Sequence, residues 1–135
     1  MKKVTKLSYI LFLVFSINSC ISRDIIDKKE GIFLPSVENL RSIIQNDKDV
    51  HLQWDIPLNI PSEIQRPLSV YVQVYRGTTL EYQISLSDEP TTWNYVLAEP
   101  DNEYRIIVKM QGWLKEKVYG KSDEIYSLGQ TVNVN

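Results

Sequence analysis

The sequence contains little of the chemistry on which catalytic and metal sites depend. Its 135 residues include one cysteine, Cys20, and one histidine, His51. A single cysteine excludes an intramolecular disulfide and a metal site built from cysteines, and a single histidine excludes a site built from several imidazoles. The chain also lacks a glycine-rich phosphate-binding loop and a nucleophile elbow. We therefore expect a protein that is not an enzyme and that uses no cofactor and no metal.

An excess of positive charge is also missing. The sequence has 15 Lys and Arg residues against 17 Asp and Glu residues, a formal charge of -2. This balance gives no electrostatic reason to bind nucleic acid. The 24% of charged and 43% of hydrophobic residues are typical of a globular chain, and the length predicts one domain with a core of its own.

The sequence has no hydrophobic run long enough to cross a bilayer as a helix. The longest, residues 7–17, has 11 residues, whereas a membrane-spanning helix needs roughly 20. The run follows Lys2, Lys3 and Lys6 and no acidic residue. A basic start before a short apolar run is the pattern of a secretory signal peptide.

The end of this run, Ile17-Asn18-Ser19-Cys20, resembles the lipobox of bacterial lipoproteins. The resemblance implies that residues 1–19 are removed and that Cys20 becomes an acylated N-terminus, anchored in membrane lipid. Ile21 stands where an Asp often signals retention in the inner membrane, so we expect an outer-membrane lipoprotein of the cell envelope. An uncleaved N-terminal anchor is the alternative. Residues 20–32 then form a lipidated, charged tether, and cleavage lowers the formal charge to -5 by removing three lysines.

Residues 33–135 predict an all-β, antiparallel sandwich of about seven short strands. Apolar and polar residues alternate in three clear strands, at 50–54, 68–75 and 104–110. Weaker strands are predicted at 37–44, 80–86, 92–97 and 118–128. The spacing of apolar residues in 37–45 also fits a helix.

Several short motifs in this region resemble the fibronectin type III family over nearly its whole length. They are Pro35 before residues 37–40, Trp54 with Pro57, the run Val74–Thr78, Leu97-Pro100-Tyr104, and Gly120-Lys121-Ser122. The resemblance implies an immunoglobulin-like sandwich and a tyrosine corner, in which the Tyr104 hydroxyl bonds to backbone upstream. One such domain behind a lipobox is also similar to small lipoprotein families of gut Gram-negative bacteria, and that similarity implies no activity.

Four aromatic residues are candidates for contact with a ligand or partner. Trp113 follows Gly112 in a segment that we interpret as a hairpin loop, where it either meets a ligand or folds back over the edge of the sandwich. Tyr71, Tyr75 and Tyr82 are predicted on the outward face of the third and fourth strands, as a platform or as ordinary cross-strand pairs. Trp93 and Tyr95 share a face with Leu97 and are expected to pack in the core.

The connection Asp55–Pro67 is long, with three prolines and four aliphatic residues. We expect these aliphatics to cap one end of the sandwich; a small apolar interaction patch is the alternative. Taken together, the sequence favours a lipoprotein whose sandwich is a non-catalytic interaction module that binds a protein partner. The alternative is a carbohydrate-binding module that presents polysaccharide at the cell surface.

Overall fold

The computed structural model describes residues 31–117 and 119–134, which contain eight β-strands and no helix. The predicted signal peptide, the predicted lipidation site Cys20 and most of the predicted tether lie outside the described residues. The strands are β1 (Glu38–Gln45), β2 (Asp49–Asp55), β3 (Ser69–Arg76), β4 (Thr79–Leu86), β5 (Thr92–Val96), β6 (Tyr104–Trp113), β7 (Glu124–Tyr126) and β8 (Gln130–Val134). The all-β prediction is confirmed, and the ambiguous segment 37–45 contains the strand β1, residues 38–45, rather than a helix. In the part of the chain that is described, we find no helix capable of spanning a bilayer.

The strands form two antiparallel sheets arranged as a sandwich. One sheet has the order β1-β2-β5, and the other has the order β4-β3-β6-β7, with β8 also pairing to β6. Because β1 and β8 contact each other, the two sheets meet along that side. The opposite side lies between the edge strands β4 and β5.

The core forms where the alternating strands turn their apolar faces toward each other. On β2 the inward residues are Val50, Leu52 and Trp54, none more than 2% exposed. The Trp54 indole N–H donates a hydrogen bond to the carbonyl of Pro90 at 2.7 Å, so burial of the ring leaves no donor unsatisfied. The inward residues of β3 and β6 are also buried: Val70, Val72, Val74, Tyr104, Ile106, Val108 and Met110.

We call the end of the sandwich at which the described chain begins the N-terminal end. The connection between β2 and β3 closes this end. Ile64 is 1% exposed and forms an isolated bridge to Leu114, while Ile56 and Ile60 pack against the core. The capping prediction is therefore confirmed for three of the four aliphatics. The fourth, Leu58, is fully exposed.

The opposite end contains the predicted tyrosine corner. Tyr104 begins β6, is 1% exposed, and its hydroxyl oxygen accepts the backbone N–H of Glu99 at 3.0 Å. The buried Leu97 lies beside this turn, which connects β5 to β6. The structure confirms the hydrogen bond to backbone upstream.

The last predicted strand is wrong in its bounds, because residues 118–128 do not form one strand. Pairing to β6 occupies β7 and then, after a break at residues 127–129, β8. At the break the Ser127 hydroxyl accepts the backbone N–H of Met110 at 2.8 Å and so replaces a ladder bond. Gly129 passes so close to β6 that a Cβ atom there would lie 2.5 Å from Cγ2 of Ile107. Residues 31–117 and 119–134 therefore form eight strands, where the sequence predicts about seven.

Candidate functional site

The outer face of the larger sheet carries a row of four aromatic side chains, Trp113, Tyr126, Tyr71 and Tyr75, which we call the aromatic face. Strand register places them there: Tyr71 pairs with Lys109, Tyr75 with Arg105, and Tyr126 with Gln111. These are the positions that alternate with the buried residues of β3 and β6. The sheet therefore presents aromatic rings to solvent on the side away from the core.

The row is long and its rings differ in exposure. Tyr75 pairs with Arg105, which is eight residues before Trp113 on β6. At the rise per residue of an antiparallel strand, the row therefore spans roughly 27 Å. Tyr71 and Tyr126 meet edge to face with ring centroids 5.8 Å apart. Tyr126 is 47% exposed, and the other three are half-buried. This surface fits an extended partner better than a small molecule.

A buried amide organises the centre of the aromatic face. Gln111 is 7% exposed; its amide nitrogen donates to the Tyr126 hydroxyl at 3.0 Å and to Glu124, and its oxygen accepts the Ser85 hydroxyl at 2.6 Å. The Tyr126 hydroxyl donates in turn to Glu124 at 2.9 Å. Burial raises the pKa of Tyr126, and the hydrogen bond to Glu124 raises it further. The network fixes the Tyr126 ring in one position, which lowers the entropy lost on binding.

Two cations flank the tyrosines of β3. The guanidinium of Arg105 lies 4.8 Å from the ring centroid of Tyr75, in cation–π geometry. Lys109 pairs with Tyr71 across the strands. Neither cation forms an ion pair among the described residues. Both are thus available to a partner that carries carboxylates.

Tyr82, the fourth residue predicted for a platform, is not part of the aromatic face. It pairs with Val74 and therefore lies on the inner side of β4. There it stacks on Trp93 with centroids 6.0 Å apart and contacts Tyr95 at 5.8 Å. Trp93 and Tyr95 pack against the core as predicted. The prediction that Tyr82 joins Tyr71 and Tyr75 is wrong, since the register turns its side chain toward the smaller sheet.

The placement of Trp113 in a hairpin loop is also wrong. It ends β6, pairs with Glu124, and its carbonyl accepts the backbone N–H of Gln65 at 2.7 Å. The connection between β2 and β3 lies alongside these residues and lengthens the strand, which the local sequence does not reveal. Leu114, the next residue, is 8% exposed and packs inward, while the Trp113 ring stays on the outer face.

Sequence reasoning missed two members of the site, Tyr126 and Gln111. The signal for Tyr126 was the alternation Glu124-Ile125-Tyr126, which puts Tyr126 on the face opposite Ile125. The signal for Gln111 was the alternation of β6, which continues past Met110 and puts Gln111 on the opposite face. Both positions become meaningful only when the register between β6 and β7 is known.

The sole histidine belongs to a polar ladder on the outer face of the smaller sheet. His51 Nδ1 lies 2.5 Å from the amide oxygen of Asn94, and its Nε2 lies 3.1 Å from the amide nitrogen of Gln53. Both ring nitrogens are therefore engaged by neighbouring amides of the ladder. Within residues 31–117 and 119–134 no group of three or more His, Cys, Asp or Glu residues could hold a metal ion.

Comparison with known proteins gives a match to one family model, described as a domain of unknown function (DUF4945), over residues 20–134. A search of curated proteins finds no match.

Proposed function

Because the chain belongs to the DUF4945 family, a domain family of unknown function, we propose its role from its own sequence and surface. It is a cell-envelope lipoprotein, anchored in the outer membrane through acylated Cys20. Its sandwich, of the fibronectin type III kind, is a non-catalytic interaction module that binds a protein partner through the aromatic face.

The anchor is supported by the order of a basic start, a short apolar run and a lipobox-like sequence ending at Cys20. The family match begins at the same residue, which is where the mature chain would start after cleavage. Labelling cells with radioactive palmitate tests the anchor: the wild type should incorporate label and Cys20→Ala should not. Labelling of the variant would contradict acylation of this thiol.

The single observation that carries the binding proposal is the composition of the aromatic face. Trp, Tyr and Arg are the residue types that dominate binding energy in protein interfaces, and this face combines Trp113, Tyr126 and Arg105 on one rigid sheet. A partner surface with carboxylates complements its free cations. Because the lipid anchor on Cys20 holds this domain next to the membrane, we expect the partner to be a second protein of the cell envelope.

The matched experiment compares two exposed faces of the same domain. Acylated protein is crosslinked in membranes and purified as wild type, as Tyr126→Ala, and as Ile43→Ala on the smaller sheet. Tyr126 and Ile43 have similar exposed fractions, 47% and 45%. We expect one stoichiometric companion with wild type and Ile43→Ala, strongly reduced with Tyr126→Ala. Recovery of the protein alone, or equal recovery with both variants, would contradict the proposal.

A carbohydrate ligand is the second candidate, and one observation favours it. Beside the exposed Tyr126 ring lies the Glu124 carboxylate, a group that suits the hydroxyls of a sugar stacked on the ring. A glycan array with the wild-type protein tests this candidate. Saccharides that bind on the array are then titrated into wild type and Trp113→Ala while tryptophan fluorescence is recorded. If neither assay shows a response to any saccharide, the carbohydrate-binding hypothesis is wrong.

A further inference from the structure

Three exposed apolar side chains of the loops lie at one end of the sandwich. Leu58 and Tyr119 are fully exposed, and Phe33 is 62% exposed. We call these three residues the apolar tips. Leu58 lies between β2 and β3, Tyr119 between β6 and β7, and Phe33 before β1. All three connections lie at the N-terminal end.

The opposite end has a different surface. Its loops carry four acidic residues, Asp47, Glu99, Asp101 and Glu103. None of the exposed large hydrophobic side chains among the described residues lies in those loops. The loops of the two ends therefore differ: those of the N-terminal end carry the apolar tips, whereas the exposed apolar residues nearest the opposite end, Ile44, Leu80 and Val96, belong to strands.

The exposure of Leu58 is built into a well-packed loop. Its neighbours Ile56 and Ile60 pack on the core, and Pro57 beside it is buried. The backbone N–H of Gln65 and that of Lys115 each bond across to the neighbouring segment, at 2.7 and 2.8 Å. Such a loop holds Leu58 outward, so that its side chain stays in water unless another surface covers it.

The charges near the tips leave this end mixed in sign. Lys115, Lys117 and Lys121 lie in the loop that contains Tyr119, together with Glu116 and Asp123. Lys117 pairs with Asp123 at 3.2 Å while its side chain remains 76% exposed. Long lysine side chains suit a boundary between apolar and aqueous layers. The chemistry fits a phospholipid surface without a requirement for anionic lipid.

We propose that the N-terminal end of the sandwich rests on the phospholipid surface that holds Cys20, with the apolar tips inserted at the headgroup boundary. This inference rests on the proposed lipid anchor. Residues 20–30 precede the described domain, and even fully extended they reach at most about 40 Å. They join the domain at the end that carries the tips, so this end is the one the anchor presents to the membrane. Insertion of a few apolar side chains to this depth is the interfacial mode of membrane contact.

The experiment uses the acylated full chain in phosphatidylcholine vesicles that contain nitroxide-labelled lipid. Cys20 is the sole cysteine and its sulfur is blocked by the anchor, so Leu58→Cys gives one reactive thiol for a fluorescent probe. Asp101→Cys at the opposite end is the matched control. We expect severalfold stronger quenching of the probe at position 58 than at position 101.

A second pair of variants excludes insertion driven by the probe itself. With the probe at Phe33→Cys, the additional change Leu58→Asp should reduce quenching, because a charged tip resists entry into the interface. Vesicle-bound protein with equally weak quenching at positions 58 and 101, or no effect of Leu58→Asp, would overturn this inference and leave the anchor intact. Failure of the protein to float with vesicles would instead overturn the anchor, and this inference with it.

Discussion

Tyr104 combines burial with one specific hydrogen bond. The ring is 1% exposed among the residues of β6 and the loop before it, and its hydroxyl accepts the N–H of Glu99. Removal of the hydroxyl takes this acceptor from the Glu99 N–H, and the loss of an intramolecular hydrogen bond lowers stability. The hydroxyl therefore holds the turn before β6, at the end of the sandwich opposite the N-terminal end.

Tyr104→Phe is expected to lower the free energy of unfolding by about 1–2 kcal/mol. The ring keeps its packing and only the bond to Glu99 is lost, so the fold should persist. Urea denaturation followed by tryptophan fluorescence measures the change. Tyr119→Phe, at a fully exposed tyrosine, is the control and should leave the midpoint unchanged. Equal stability of Tyr104→Phe and wild type would contradict the role assigned to this bond.

Tyr95 should make stability depend on pH in the alkaline range. Burial, and then the nearby Glu81 carboxylate, raise the pKa of Tyr95 from 10.0 to about 12. The folded state thus holds this proton more tightly than the unfolded chain. The resulting stabilisation is fully present below pH 10 and is lost as pH rises toward about 12. Tyr126, whose pKa is also raised, acts in the same direction.

Urea midpoints measured from neutral pH to pH 12 test this dependence. Tyr95→Phe cannot ionise at this position, so its midpoint should fall less steeply above pH 10 than that of wild type. Ultraviolet titration of tyrosinate should show one fewer tyrosine ionising at high pH in Tyr95→Phe than in wild type. Identical slopes for the two proteins would mean that Tyr95 does not couple ionisation to folding.

The Gly129 backbone determines how the last two strands of the larger sheet are joined. A Cβ at this position would lie 2.5 Å from Cγ2 of Ile107, a branched side chain with little freedom to move. Gly129→Ala should therefore destabilise the fold by about 1–3 kcal/mol through overpacking. Denaturant midpoints measure the loss, and the neighbouring Leu128→Ala, at a side chain 69% exposed, should change little. A stable Gly129→Ala would show that β8 can shift away from β6.

Strands that bury one face could be predicted from local alternation, and the join between β7 and β8 could not. In β2, Val50, Leu52 and Trp54 carry the pattern themselves, since every second side chain enters the core. The break at residues 127–129 depends instead on Met110 and Ile107 of a different strand. Contacts between distant segments leave no periodicity in the local sequence.

The same distinction explains the candidate site. The residue types of the aromatic face were predictable, and Tyr71 and Tyr75 follow from the alternation of β3. The exclusion of Tyr82 follows from its pairing with Val74, and the inclusion of Tyr126 from its pairing with Gln111. Register between strands is set by whole-sheet packing, so these two positions could be assigned only from the assembled sheet.

At the scale of the whole molecule, the two sheets are closed differently along their two sides. Strand β1 contacts β8 on one side. On the other, Trp93 contacts both Tyr82 and Tyr95, with ring centroids 6.0 and 5.5 Å away. These three rings come from edge strands of different sheets, β4 and β5, so they join the two layers where no backbone pairing does.

Trp93→Ala should therefore weaken the contact between the sheets rather than either sheet alone. We expect a loss of about 2–4 kcal/mol in the free energy of unfolding, toward the lower end of values for a large aromatic because the ring is half-buried. Near-ultraviolet circular dichroism should lose much of its aromatic signal while the far-ultraviolet β spectrum persists. Val96→Ala, on the same strand with its side chain 58% exposed, is the control. A variant with wild-type stability would show that the aromatic cluster is dispensable for closing this side, which would make a ligand-binding role for Trp93 and Tyr82 the better explanation of their stacking.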